Sequence, residues 1–317
     1  MLDKVLENHH FQKPKILISK CLEFDACRYD GQRISNKYIK AMKPWVKFIP
    51  ICPEVEIGLG IPRDPIHIIQ KNNQQILYQL TKEKDLTDEM VTFSKSYFDK
   101  VKTLDGFILK SKSPSCGLNS TIIFQDQDKS NIVGKGHGIF TSIIIDRFPH
   151  HPKMEDLHLD DALIRKHYFT AVFTLAEYRK VKTFNDLFQF HGRHKCLFTT
   201  YNQIILRKME KLVANIEKMK TLDLLIEYSN LLFNIFEKRP SNASHINTHK
   251  QMFGYIKNDL TSKEQNGFLD VLETYRSNTV SLSNVVNILY AWAIHYKNEH
   301  LLSQSYFHPF PLPLSLL

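Results

Sequence analysis

The feature that most constrains the fold is a change in the spacing of apolar residues near residue 150. Before it, short apolar runs bounded by turn residues recur, namely KILISK (15–20), VKFIPI (46–51), DGFILK (105–110) and STIIFQ (120–125). Continuous apolar runs of this length are typical of strands buried in a parallel or mixed sheet. After residue 150 such runs give way to long segments with helical periodicity, so the two halves predict different architectures.

Between the second and third runs, LTDEMVTFSKSYFDKVK (86–102) has apolar residues at helical spacing. These are Met90, Phe93, Tyr97 and Val101. Thr87 or Asp88 is a suitable N-cap for this predicted helix. Strands that alternate with helices predict an α/β domain over residues 14–150, with three layers and a mostly parallel sheet.

The second half has apolar stripes that step by three and four residues. They are Met209, Leu212, Ile216 and Met219, and then, with one wider gap, Leu225, Leu232 and Phe236. Such stripes are typical of the core faces of a helical bundle. The sequence therefore predicts a helical connector over 151–189 and an all-α domain over 190–317. We interpret RPSNASHIN (239–247) as a loop, and FHPFPLPLSLL (307–317), which has three prolines, as an extended strap.

The composition bears on the cellular location of the protein and on the charge of its partners. No stretch of about 18 consecutive apolar residues occurs, so we expect no transmembrane helix. The N-terminal residues contain no apolar segment of the secretory type, and we therefore expect a cytoplasmic protein. The formal net charge of +9 favours anionic partners, nucleic acid among them, although the charges are spread along the chain.

Three of the five cysteines follow predicted strands. Cys21 and Cys52 come directly after the first two runs, and Cys116 follows the third by one loop. Because ligands of α/β sheets bind where the carboxyl ends of strands converge, these thiols can meet in space. No C-x-x-C pair occurs, which argues against a zinc ribbon or a thioredoxin-type motif. Soft thiolates fit an iron–sulfur cluster better than zinc, and the alternative is three buried small apolar residues.

The segment FILKSKSPSCGL (107–118) surrounds one thiol with residues that favour turns. Proline and glycine flank Cys116 and fix a sharp turn just beyond a strand end. Turns in such places commonly carry function. A surface loop with an incidental cysteine is the alternative.

Four blocks of the first half resemble the signature blocks of the thiouracil desulfidase family, in the same order and spacing. They are ILISKCLEFDACRYDG (16–31), CPEVEIGLGIPRDPI (52–66), LKSKSPSCGL (109–118) and GKGHGIFT (134–141). The second half resembles the YbgA-type C-terminal helical domain, whose role is undetermined. Its matching stretches are FHGRHKCLFTTYNQ (190–203), NTHKQMFGYIKNDLTSKE (247–264) and QSYFHPFP (304–311).

The resemblance implies an enzyme with a [4Fe–4S] cluster. Three cysteines, Cys21, Cys52 and Cys116, would hold it and leave one iron open to the sulfur of a thiolated base. Glu54 matches a position with an acid/base role, and Ser113 matches a position that orients the substrate. The implied reaction is the non-redox desulfuration of a thiolated pyrimidine, 2-thiouracil or a related base or nucleotide, with release of sulfide.

Several residues of these blocks have two interpretations. Glu54 can be the base that activates water, or a capping or solvated carboxylate. Cys27 can be a core thiol beside the ligands, or a fourth ligand. Arg28 and Arg63 can supply positive charge near the cluster or a phosphate, or form surface ion pairs. Asp30 suits a turn and can also orient a ligand.

The glycine-rich segment GKGHG (134–138) lacks the pattern of a phosphate-binding loop. We interpret it as a place where the backbone approaches a wall of the site closely.

In the second half, His191, His194 and Cys196 lie close in sequence, but no complementary pair at ligand spacing follows, so a packed or solvated segment is favoured over a metal site. A basic stretch there could contact RNA or a nucleotide; it comprises Arg193, Lys195, Arg207, Lys208 and Lys211. The alternative function is a nucleic-acid-associated binding or repair accessory protein with a structural cluster.

Overall fold

The structure is a computed structural model that describes residues 11–72, 74–101, 103–127, 129, 131–215 and 219–317. Ile216, a member of one predicted stripe, lies outside these residues. The chain divides into two compact units: the first comprises the chain up to Ala176 together with Pro313–Leu317, and the second comprises Glu177–Leu312. Within the described residues, no helix is both long and apolar enough to cross a membrane.

The first unit contains two sheets. Their strands, β1 to β9 in chain order, are Lys15–Ser19, Lys47–Ile51, Ile66–Lys71, Gln74–Gln79, Lys84–Asp85, Gly106–Leu109, Thr121–Phe124, Ile132–Gly136 and Lys153–Glu155. One sheet has the order β2-β1-β6-β9 and every pairing in it is parallel. All four predicted strands are present, as β1, β2, β6 and β7, so the predicted α/β class with a mostly parallel sheet is confirmed.

The other sheet has the order β5-β4-β3-β7-β8, and only its β3–β7 pairing is parallel. Four of its strands, β3, β4, β5 and β8, were not predicted. Their sequences, such as QQILYQ in β4 and IVGKG in β8, mix polar residues or glycine with apolar ones because the sheet is exposed along much of its length. The continuous apolar runs identified β1 and β6, which are buried on both faces, and also β2 and β7, which are only partly buried.

The helices are numbered α1 to α13 in chain order. They span Lys37–Met42, Pro53–Glu56, Thr87–Lys100, Ile139–Arg147, Ala162–Tyr178, Phe184–Tyr201, Gln203–Ala214, Thr221–Ile235, Asn242–Gly254, Ser262–Arg276, Leu282–His295, Glu299–Leu302 and Leu312–Ser315. The predicted helix over 86–102 is confirmed as α3. Its N-cap is Leu86, so the predicted cap was wrong: the hydroxyl of Thr87 accepts from the N–H of Leu77 in β4 at 2.9 Å.

The core of the first unit lies between the strands and the helices α3 and α4. Phe98 of α3 and Phe140 of α4 stack with ring centroids 5.2 Å apart, and both are buried. Leu17 of β1 and Phe107 of β6 belong to the same cluster and are fully buried. Burying these aromatic rings fixes the start of α4 close to the carboxyl end of β6.

The second unit is built of helices, which confirms the predicted all-α class. Of the predicted stripes, Met209, Leu232 and Phe236 are buried. The predicted loop over 239–247 was wrong from residue 242 onward, because the Ser241 side chain accepts from the N–H of Ser244 and so starts α9 at Asn242. At the chain end, where Pro313–Leu317 belong to the first unit, part of the predicted strap forms the single turn α13, whose proline lies in the first turn, where no N–H is needed.

Candidate active site

The three predicted cysteine ligands come from three neighbouring strands. Because β2, β1 and β6 are adjacent and parallel, their carboxyl ends lie along one edge of the sheet. Cys21 and Cys52 begin the loops after β1 and β2, and Cys116 lies in the loop after β6. Backbone bonds hold these loops together: the N–H of Lys20 donates to the carbonyl of Ile51 at 2.8 Å.

All three cysteines are free of disulfides and interact electrostatically with one another. Burial raises the pKa of Cys21 to about 12 and that of Cys116 well above its usual value. The pKa of Cys52 is instead lowered to about 7, chiefly by a hydrogen bond from the thiol of Cys27. In the part of the chain that the structure describes, no three His, Cys, Asp or Glu side chains converge closely enough to hold a metal ion.

Glu54 lies on α2, the short helix that Cys52 precedes as N-cap residue. Its carboxylate is buried and accepts from Arg63, whose Nε and Nη2 both lie near Oε2, at 2.9 and 2.6 Å. Neither a helix cap nor a solvated carboxylate describes this environment. Among the described residues no hydrogen bond reaches Oε1 of Glu54, so this oxygen is available to a substrate or water.

Arg63 is a buried member of the site, which sequence reasoning had left open. Its side chain is only 4% exposed, and Nη1 donates to the carbonyl oxygens of Cys27 and Gly60, each at 3.0 Å. Nη2 lies 3.9 Å from the sulfur of Cys52. Burial opposes the charge of Arg63, but the carboxylate of Glu54 and the sulfur of Cys52 outweigh it, so the pKa of Arg63 is raised.

Cys27 is fully buried beside Cys52. Its hydrogen bond with Cys52 is the largest cause that raises its own pKa. Arg28 and Asp30 belong to the surface instead. They form an ion pair at 3.3 Å with both side chains partly exposed, and Oδ1 of Asp30 accepts from the N–H of Gln32 at 3.1 Å, as a turn residue does.

Ser113 shapes the turn that presents Cys116. Its Oγ accepts from the N–H groups of Ser115 and Cys116 at 3.2 and 3.0 Å, while its carbonyl accepts from the N–H of Gly117 at 2.8 Å. Since the hydroxyl acts as acceptor in both bonds, its own proton remains available for donation. The side chain is half-buried, which leaves access from the edge of the site.

The start of α4 closes over this turn. The N–H of Gly138 donates to the carbonyl of Gly117 at 2.8 Å, and the N–H of Thr141 donates to the carbonyl of Ser115 at 3.2 Å. A Cβ at position 138 would lie 2.3 Å from the carbonyl carbon of Ser115. The close backbone approach predicted for the GKGHG segment is therefore confirmed at Gly138.

Sequence reasoning missed three polar residues at the same edge. Ser19 ends β1, and its hydroxyl accepts from the N–H of Lys110 at 2.9 Å and hydrogen-bonds to Cys116. The ammonium of Lys110 lies near Cys21 and pairs with Asp156 at 3.1 Å. Lys110 and Ser19 both stand inside the signature blocks, so their positions beside the cysteines were the available signal.

The thiols do not lie close enough together here to hold a single metal ion, and what suits a larger iron–sulfur cluster is their chemical type, since soft thiolates are its usual ligands. Three buried or half-buried thiols share one sheet edge, and the hydroxyl of Ser115, next to Cys116, is fully buried without a hydrogen-bond partner among the described residues. A buried orphan hydroxyl is costly unless something accepts its proton, and inorganic sulfide or a cysteine sulfur is a suitable acceptor.

The histidines of the second unit have protein partners. His191 bonds through Nδ1 to the hydroxyl of Tyr228 at 2.9 Å, and His194 bonds through Nδ1 to the carbonyl of Phe190 at 2.9 Å. Cys196 is buried in the helical core. The packed interpretation of this segment therefore agrees with the structure. Of the basic stretch, three residues are exposed on α7: Arg207, Lys208 and Lys211.

Two family models match the chain. Residues 16–156 match the model described as 2-thiouracil desulfurase, and residues 195–311 match the model described as protein of unknown function (DUF1722). The first match includes all five predicted site residues.

Individual relatives cover either part. The uncharacterized protein YbbK of Bacillus subtilis (strain 168) is 33% identical over 111 residues, which is 32% of this chain and 72% of that protein. The uncharacterized protein YbgA of Escherichia coli (strain K12) is 26% identical over 163 residues, which is 50% of this chain and 92% of that protein. Among solved structures, the [4Fe-4S]-dependent thiouracil desulfidase TudS matches at 24% identity and a TM-score of 0.39, over 47% of this chain and 95% of its own.

Proposed function

The chain belongs, through residues 16–156, to the 2-thiouracil desulfurase family, and from this membership we propose that it removes sulfur from a thiolated pyrimidine, 2-thiouracil or a related base. The observation that carries the proposal is the delivery of three thiols to one sheet edge by three adjacent parallel strands. We propose that Cys21, Cys52 and Cys116 hold a [4Fe–4S] cluster there.

Held by Cys21, Cys52 and Cys116, such a cluster would supply a Lewis-acidic iron that polarises the carbon bonded to the sulfur of the substrate. In the proposed reaction, Glu54 takes a proton from water while the water oxygen attacks that carbon. The C–S bond then breaks, its electron pair leaves with sulfur, and the sulfur takes up the proton from Glu54 and the proton of the added hydroxyl as the C=O bond forms. Thiouracil and water thus become uracil and hydrogen sulfide, and sulfur stays in its reduced state throughout.

The residues around Glu54 support this role. Arg63 occupies Oε2 with two N–H groups, which leaves Oε1 to receive the proton. The Ser113 hydroxyl, whose lone pairs already accept from the Cys116 turn, can donate to the ring of the substrate and hold it over the site. Buried surroundings strengthen both interactions.

The test is turnover by anaerobically purified protein with about four irons per chain. We expect uracil and sulfide in equal amounts from 2-thiouracil, and a loss of at least about 10²-fold in kcat for Glu54→Gln with the iron retained, because a positioned general base contributes at least that much. Glu56→Gln is the matched control, since Glu56 is exposed on the same helical turn.

A Glu54→Gln variant that turns over like wild type would remove Glu54 from the reaction. Parallel assays with a thiolated nucleoside and thiolated tRNA identify the size of the substrate. Turnover of tRNA alone would favour the RNA partner for which the exposed lysines and arginine of α7 are candidates.

A further inference from the structure

Arg63 joins three segments of the proposed active site. Its guanidinium donates to the Glu54 carboxylate on α2, to the carbonyl of Cys27 in the loop after β1, and to the carbonyl of Gly60 in the loop after α2. It also lies 3.9 Å from the sulfur of Cys52. One side chain therefore contacts a proposed base, a proposed ligand and the loop that contains the neighbouring thiol.

The geometry of the fork distinguishes this contact from an ordinary ion pair. Nε and Nη2 both approach Oε2 of Glu54, so two N–H groups anchor this oxygen while Oε1 has no contact with the arginine. A lysine ammonium is a point charge with rotatable donors and cannot provide the two fixed N–H directions. Because the arginine is buried, its charge is also poorly screened from Cys52.

We infer that Arg63 is a positioning residue for the proposed desulfuration: it orients Glu54 so that Oε1 faces the reacting water, and its positive charge acts on the Cys52 sulfur. The inference rests on the proposed function. A residue with this role changes kcat through Glu54 and changes the midpoint potential of a bound cluster through Cys52. A residue that only stabilises the fold changes neither quantity selectively.

The first test is a double-mutant cycle in kcat with holoenzyme. Arg63→Gln should lower kcat at least about tenfold, because small misplacements of a catalytic group can cost up to about 10²-fold. In a Glu54→Gln background the same substitution should change kcat by less than about twofold, since the group it positions is already inactive. Independent, multiplicative losses would overturn the inference.

The second test does not depend on activity. The midpoint potential of the cluster should move to more negative values in Arg63→Gln, because a positive charge near a ligand sulfur is lost. Arg63→Lys keeps the charge and should shift the potential less, while its kcat should still fall. The control is Arg28→Gln, which removes a partly exposed arginine paired with Asp30 and should leave both quantities unchanged. An unchanged potential in Arg63→Gln would contradict the role at Cys52.

These readouts separate the inference from the proposed function. Wild-type protein that binds the cluster but releases no sulfide would refute the desulfidase proposal, while the potentials would still decide on Arg63. If Arg63→Gln does not hold a cluster, Arg63→Lys takes its place in the cycle. If wild type holds no iron, the inference is overturned together with the proposed function on which it rests.

Discussion

Both units bury polar side chains, but they use them differently. In the second unit they form pairs within the helical packing: His191 with Tyr228, His249 with Tyr306 at 2.7 Å, and Thr200 with Thr248 at 2.7 Å. In the first unit they collect at one edge of the parallel sheet, where thiols, an ion pair and an orphan hydroxyl lie together. A buried pair satisfies itself and stabilises the core, whereas a convergent set still has donors and acceptors to offer.

The hydroxyls of Tyr290 and Ser305 in the second unit also lack a hydrogen-bond partner among the described residues. The grouping of thiols and charged side chains, rather than an orphan hydroxyl alone, is therefore the feature on which we propose chemistry in the first unit. The comparison also explains why a lone buried cysteine or histidine is a poor indicator of function. Cys196 is as buried as Cys116, and each belongs to the apolar core cluster of its own unit, so burial among apolar residues does not separate the two.

The largest expected effect separates these two kinds of cysteine. Cys21→Ser, Cys52→Ser and Cys116→Ser should each reduce the iron content from about four per chain to near zero, because a hydroxyl is a poor ligand for this cluster. Cys196→Ser, a substitution of the same chemistry in the second unit, should leave the iron content unchanged. Iron analysis and visible absorption after anaerobic purification provide the measurement.

Cys27→Ser sharpens the same test. Cys27 contacts Cys52 but is not required as a ligand if one iron stays open, so this variant should keep its iron. Loss as complete as in Cys52→Ser would mean four protein ligands and no place for the sulfur of a substrate.

How far the sequence could predict this site depends on which residues carried a pattern. The cysteines followed apolar runs that identify β1, β2 and β6, so their position at one edge of the sheet followed from its parallel order. The Arg63–Glu54 pair had no such signal, because it joins the two ends of an irregular segment and depends on how that loop folds back. Most strands of the second sheet were not predicted either, because its exposed strands mix polar and apolar residues.

The next effect tests whether the Cys116 turn depends on α4. Gly138→Ala places a methyl group against the carbonyl of Ser115 and should destabilise the first unit by about 3 kcal/mol or more, since a packed backbone cannot make room. Gly134→Ala, in the same glycine-rich segment, has no atom within 4 Å of the added Cβ. Denaturant unfolding of the two variants gives the comparison. Equal stability of both would show that α4 and the turn move apart freely.

Acidification should act on the internal pairs of the second unit. Burial lowers the pKa of His191 from 6.5 to about 4. Below pH 6.5 the unfolded chain binds a proton that the folded unit does not, so stability is fully present above that pH and declines as the pH falls toward 4. From pH 6.5 to pH 5 this amounts to about 2 kcal/mol for one histidine, at about 1.4 kcal/mol per pH unit.

Hydrogen exchange of the α6 amides measures this local stability. His191→Gln should reduce the slope of this local stability against pH by the equivalent of about one proton. Some slope should remain, because burial lowers the pKa of His194 as well. An unaltered slope in the variant would mean that other groups determine the acid response.

The smallest effect concerns Ser113, whose hydroxyl stabilises the Cys116 turn and is also proposed to orient the substrate. Ser113→Ala removes the acceptor for two backbone N–H groups of the Cys116 turn and should cost about 1 kcal/mol, as the loss of a capping hydroxyl usually does. If the hydroxyl also orients the substrate, KM for 2-thiouracil should rise severalfold while the iron content is retained. Ser113→Thr keeps the hydroxyl and should restore both stability and KM. A loss of stability with KM unchanged would assign Ser113 to the turn alone. Its hydroxyl would then act only within the protein, as the paired polar side chains of the second unit do.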